Sequence, residues 1–151
     1  MVNNDYRPLT ADERKIITLH PELGLKFLEL SPKLETFHDT MLGHHKWYNG
    51  KGGYPASFDN TKSPVRLMID IVTLSDCLQA ATERIGRNYK GEKNFDTVMQ
   101  EFRAEAGTRY NPDLVAFIDA HPDVADKLSD LIEDGWVEIY YNIYKQFISE
   151  E

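Results

Sequence analysis

The chain has a single cysteine, Cys77, so no disulfide can form within it, and this usage fits a reducing compartment such as the cytoplasm. It is also short of positive charge. Against 25 Asp and Glu it carries 17 Lys and Arg, a formal charge of −8, which argues against general nucleic-acid binding because phosphate backbones demand a basic footprint. No apolar run approaches the ~20 residues needed to cross a bilayer, and Met1 to Pro8 lack the apolar segment of a secretory signal. Convincing strand patterns, internal repeats and low-complexity tracts are missing too. What is present is 151 residues that are 41% hydrophobic and 28% charged, enough for a core and too apolar for a disordered chain.

Helical patterning dominates. Thr10-Ala11-Asp12-Glu13 has capping-box form, and a helix should follow through Ile16, Ile17 and Leu19 before restarting at His20-Pro21. A third helix is expected over about 33–46, with Leu34, Phe37, Met41 and Leu42 on one stripe. The segment 49–63 holds three glycines, Pro55 and Asp59-Asn60 and reads as a loop. Ser63-Pro64 reads as the cap and first residue of a long helix with Val65, Met68, Ile69, Val72 and Leu78 on its apolar stripe, ending near Gly86. Further helices are expected over about 95–105, from Asn111-Pro112 to His121-Pro122, and over about 124–149. The expected fold is all-α, with a domain over residues 1–122 and a long terminal helix over 123–151 that packs on it or on a partner.

Four residues could carry metal chemistry. His20 sits at a helix junction, His44 and His45 lie at the mouth of the glycine-rich loop, and Asp76 projects from the apolar stripe of its helix. A carboxylate on a buried stripe is costly unless paired or metal-bound, and imidazoles with a carboxylate suit Fe, Mn or Zn rather than Ca or Mg. The competing readings are ordinary ones. A lone inner histidine is more often a hydrogen-bonded core residue than a ligand, and Asp76 could pair with Arg66 or Arg84. Helical neighbours point about 100° apart, so His44 and His45 are expected to face two metals, or one metal and a substrate.

Five segments in order resemble the HD-GYP phosphohydrolase family. Leu9-Thr10-Ala11-Asp12-Glu13 is similar to its L-T-x-x-E element and His20-Pro21-Glu22-Leu23-Gly24 to H-P-x-x-G. His44 to Pro55 resembles H-H-E-x-x-D-G-x-G-Y-P, Leu74-Ser75-Asp76 resembles V-A-D, and Gly107 to Val115 resembles the closing G-T-x-F-D-P-x-x-V. The resemblance implies an HD-domain-like helical bundle that hydrolyses cyclic di-GMP on two or three Fe or Mn ions. By it, His20, His44, His45 and Asp76 would be metal ligands, and Arg87 or Arg84 would contact phosphate. Gly53 and Tyr54 would shape the nucleotide pocket.

Two positions within the naming motif differ: Lys46 stands where the family has glutamate and Asn49 where it has aspartate. Both are candidates for a catalytic role at the site, although Lys46 is expected to point to water. The family's His-Asp pair should precede the L-T-x-x-E element, and His38-Asp39 lies after H-P-x-x-G instead. These departures lead to an expectation of a bundle lacking its N-terminal helices, holding one Fe or Mn ion (Zn being a further choice) rather than a dinuclear centre, and incomplete as an enzyme alone. The expected partners are a nucleotide or other phosphodiester and a homodimer mate or upstream domain, with no nucleic acid and no membrane. The alternative is a non-catalytic signalling or assembly module derived from the same fold.

Overall fold

A computed structural model describes residues 7–83 and 91–149. It is all-α: no strand occurs among the described residues, and the extended pairing is limited to isolated bridges such as Lys46 with Gly53. Thr10 caps α1 (Ala11–Ile17). Its hydroxyl accepts from the Glu13 amide, while the Glu13 carboxylate accepts from the Thr10 amide and from Arg7. These contacts hold the Glu13 carboxyl down at about 2. Pro21 enters at the start of α2 (His20–Leu28), where its missing amide hydrogen costs nothing.

The third helix expected over 33–46 is instead a 3₁₀ segment, Pro32–Phe37, followed by the short α3 (His38–Gly43). Pro32 favours the tighter opening turn, and Gly43 closes α3 because it lies hard against the next helix. A Cβ there would come within 2.9 Å of Ile69 and Phe58. The loop that follows contains one 3₁₀ turn, Asn60–Lys62. α4 (Arg66–Thr82) starts later than Ser63-Pro64 suggests. The Ser63 hydroxyl donates to Asp39 and accepts from the Val65 amide, so it ties the approach to the helix and leaves the first turn uncapped.

The stripe α4 buries is also rotated from the expected one: Ile69, Asp70, Thr73, Leu74, Leu78 and Thr82 face inward, while Met68 is exposed. α5 (Phe95–Ala104), capped by Asn94, lays Val98, Met99 and Phe102 against α4. Together with Ile69, Leu74, Leu78, Tyr110 and Val115 these form the core. α2 packs on α3, and α3 on α4, which sets the geometry of the site below.

α6 (Pro112–Ala120) and α7 (Pro122–Asp130) divide at His121-Pro122 as expected. The single helix expected over 124–149 is interrupted: a π turn, Leu131–Gly135, separates α7 from α8 (Trp136–Ser149). Glycine weakens a helix and π turns accommodate an extra residue, and Gly135 sits where a Cβ would meet the Asp130 carbonyl at 3.0 Å. The chain forms two compact units, Met1–Val115 and Ala116–Glu151, with the division falling inside α6.

Candidate metal centre

His20 opens α2, His44 follows the last residue of α3, and His45 lies one step beyond it. Their rings converge. His20 Nε2 is 2.9 Å from His44 Nε2 and 3.1 Å from His45 Nε2, and the three ligating atoms lie within 4.8 Å of one another. The expectation that His44 and His45 face different targets is therefore wrong. The 100° rule applies inside a helix, and α3 ends at Gly43, so the backbone turn after it swings both rings to one side, with centroids 4.3 Å apart.

The outer nitrogens of two of these rings are pinned. His20 Nδ1 donates to the Ile17 carbonyl at 2.7 Å and His44 Nδ1 to the Met41 carbonyl at 2.8 Å. A carbonyl can only accept, so these bonds place the proton on Nδ1 and leave a lone pair on each Nε2. Two such lone pairs facing each other at 2.9 Å repel unless a cation lies between them. The Thr73 hydroxyl, 2.9 Å from the His44 carbonyl, further fixes that residue to α4.

Asp76 reaches the cluster's edge, with Oδ2 3.8 Å from His45 Nε2. Its side chain is 42% exposed, so it is not the buried carboxylate of α4. That is Asp70, 5% exposed and paired with Arg66 at 2.9 Å, an i, i+4 pair that the sequence carries in plain view. Arg66 is thus committed elsewhere and does not neutralise Asp76. It also donates to the Asn60 and Tyr48 carbonyls and lies 4.7 Å over the Tyr48 ring, while Asn111 donates to Asp70. This brace holds the glycine-rich loop to α4.

Within the loop, Tyr54 stacks on His45 with centroids 4.5 Å apart and rings tilted by 29°. Gly53 makes that placement feasible. It has φ +78°, and a Cβ would fall 2.0 Å from the His45 carbonyl oxygen. Lys46 does not point to water as expected. It is 6% exposed, because its backbone bridges to Gly53 and folds the side chain under the loop, and no carboxylate pairs with it among the described residues. The Asn49 amide oxygen accepts from the Lys51 amide. Asn49 lines a cavity of about 440 Å³ with Tyr48, Thr61, Arg66, Asp70 and Asn111, and its hydrogen bonds go to Lys51 and Thr108. Arg84 and Arg87 lie outside the described residues. Asp39 of the His38-Asp39 pair accepts from Ser63 and does not join the cluster. Burial pushes the Cys77 thiol and the neighbouring Tyr110 hydroxyl up from their ordinary values, so neither serves as an anionic nucleophile near neutral pH.

A family model described as HD domain matches residues 1–114. The chain belongs to the HD-domain family. HD domains form a family of metal-dependent phosphohydrolases and bind divalent metals. No curated protein matches the chain. The donor set fits such an ion on its own chemistry. Two nitrogens each ~2.1 Å from one ion lie roughly 3.0–3.4 Å apart at right-angle or tetrahedral positions, close to the His20–His44 and His20–His45 separations. Carbonyls on the outer ring nitrogens are the usual orienting partners of metal-bound imidazole.

The electrostatics also favour a ligand role. Burial, then the neighbouring rings, lowers the His45 pKa to about 3, and burial lowers that of His44. The unfolded chain takes up these protons near the ordinary value of 6.5, before the folded chain does. The stability of the metal-free protein is therefore full above that value and falls as pH drops towards about 3. Denaturant titrations of metal-free protein between neutral and acidic pH should show this decline, with a shallower slope in His45→Asn. A wild-type slope no steeper than the variant's would contradict it.

Proposed function

We propose that this HD domain is an HD-GYP-like phosphodiesterase centre, holding a single Fe, Mn or Zn ion on His20, His44, His45 and Asp76 and acting on a nucleotide phosphodiester of the cyclic di-GMP class. The observation that carries the reading is the convergence of three imidazole Nε2 atoms, two of them with their lone pairs aimed inward by carbonyls on the opposite ring nitrogen. When bound, such an ion supplies charge neutralisation at phosphate oxygens and an activated water.

The chain's own residues have the remaining tasks. His20 and His44 are oriented before any ligand arrives, so binding costs little reorganisation. Asp76, at the exposed border of the cluster, would supply the carboxylate. Tyr54 stacks on His45 beside the cluster, a position from which an aromatic ring can meet a base or sugar. Arg84 and Arg87 are the proposed phosphate contacts, a role suited to a guanidinium fork.

A second reading is favoured by one specific feature. A single carboxylate approaches the cluster among the described residues, and a buried lysine follows the His44-His45 pair. That poverty of anionic ligands suits a module that keeps metal without turning over. The deciding experiment incubates the chain loaded with Fe, Mn or Zn with cyclic di-GMP and with bis(p-nitrophenyl) phosphate. Hydrolysis that disappears in His20→Ala supports the enzyme. Stoichiometric metal without turnover of either compound leaves the non-catalytic module.

A further inference from the structure

We propose that α8 is the seam of an antiparallel, twofold-symmetric dimer of this chain. Val137, Tyr140, Tyr141, Tyr144, Phe147 and Ile148 recur at three- and four-residue spacing and form one stripe roughly 120° wide at 100° per residue. A stripe of that kind normally faces a core, yet these side chains are between 50% and 78% exposed. Read as heptads, Val137 and Tyr144 take one seam position, Tyr141 and Ile148 the other, and Tyr140 and Phe147 flank them.

Area and charge both select a second copy as the occupant. Tyr140, Tyr141, Tyr144 and Phe147 are 67%, 56%, 62% and 78% exposed. At about 150–250 Å² per aromatic side chain, covering these four removes on the order of 1,000 Å² from a pair of chains. Val137 and Ile148 add to that, so the seam reaches the ~1,000 Å² that a specific interface requires. Tyrosine, apolar along its ring and polar at its tip, is the residue type such interfaces favour.

Glu138 and Lys145 lie seven residues apart on the same border of the stripe, and Lys145 Nζ sits 4.6 Å over the Tyr141 ring. An antiparallel pairing centred near Tyr141 and Asn142 brings Glu138 of each copy within reach of Lys145 of the other, twice by symmetry. A parallel pairing would set this charged border against the partner's Tyr140 and Phe147 border and form neither pair. The same residues count against an anionic membrane as the occupant. A surface-binding helix carries a basic polar face, whereas this one has one lysine and one glutamate in a chain of net charge −8.

Sedimentation equilibrium of the full chain should show a monomer–dimer equilibrium, with Tyr144→Asp monomeric and its circular dichroism unchanged. Glu138→Lys and Lys145→Glu should each weaken the dimer by about tenfold or more. An equimolar mixture of those two variants should restore it, because one chain then carries two lysines on the border and the other two glutamates. A wild-type chain that stays monomeric, a Tyr144→Asp dimer as tight as wild type, or a mixture no tighter than either variant alone would overturn the proposal.

Discussion

His20→Ala is expected to remove metal-linked stabilisation while leaving the metal-free fold close to wild type in stability. His20 is the hinge of the cluster, since its Nε2 faces both His44 and His45, at 2.9 and 3.1 Å. In the metal-free protein the facing lone pairs of His20 and His44 repel, so deleting the His20 ring removes an unfavourable contact along with some packing, and the two effects offset. In the loaded protein the same deletion takes the one ligand that the other two share. A ligand at a hundredfold excess over its Kd stabilises by about 2.7 kcal/mol. For a chain of this size each kcal/mol moves Tm by roughly 2–4 °C. Mn, Fe or Zn should therefore raise the wild-type Tm by about 5–11 °C and leave the His20→Ala Tm where it was. Scanning calorimetry with and without metal, with bound metal measured on the same samples, reads both quantities. Equal metal-induced shifts in the two proteins would remove His20 from the ligand set.

The second large effect is expected at Gly53. Substitution by alanine meets two obstacles there: φ of +78°, and a Cβ placed 2.0 Å from the His45 carbonyl oxygen and 2.8 Å from the Lys46 Cα. Gly107 provides the comparison, with φ of +77° and nothing within 4 Å of its would-be Cβ. Gly107→Ala should cost only the left-handed strain, about 1–2 kcal/mol. Gly53→Ala must also move backbone, and backbone shifts of this kind add about 1–3 kcal/mol. Because the strained peptide belongs to His45, metal affinity should fall in Gly53→Ala and remain unchanged in Gly107→Ala. Denaturant unfolding and metal titration of the two variants check the difference, and equal losses would show that the crowding against His45 is relieved at no cost.

Much of the local structure was legible in the residues. The Thr10–Glu13 capping box formed as read, because it depends on contacts three residues apart. The helix expected over about 95–105 and the break at His121-Pro122 follow from equally short-range rules. Misreadings arose wherever tertiary packing competed with local preference. The stripe of α4 lay one step round from the hydrophobic count because Arg66 makes Asp70 affordable as a buried residue. Asp76, assigned to the interior, lies at the exposed border for the same reason. Lys46 looked like a solvent-facing charge, and only its bridge to Gly53 turns it under the loop. The terminal helix read as continuous because periodicity carries through a π turn with little disturbance.

The histidines at the mouth of the glycine-rich loop show the division most clearly. By itself the sequence determined the all-α class, the kinship with HD domains, and the presence of three imidazoles at the points where helices begin and end and of a carboxylate within a helix. These depend on residue type and on spacings of a few positions. Whether those imidazoles meet was decided by the packing of α2 on α3, which brings together atoms 24 and 25 residues apart in the chain. Which nitrogen of His20 and of His44 faces inward was decided by the Ile17 and Met41 carbonyls one helical turn behind each ring. A ligand's identity is written in the residue, whereas its direction depends on where the backbone stops being helical and on what packs against the end.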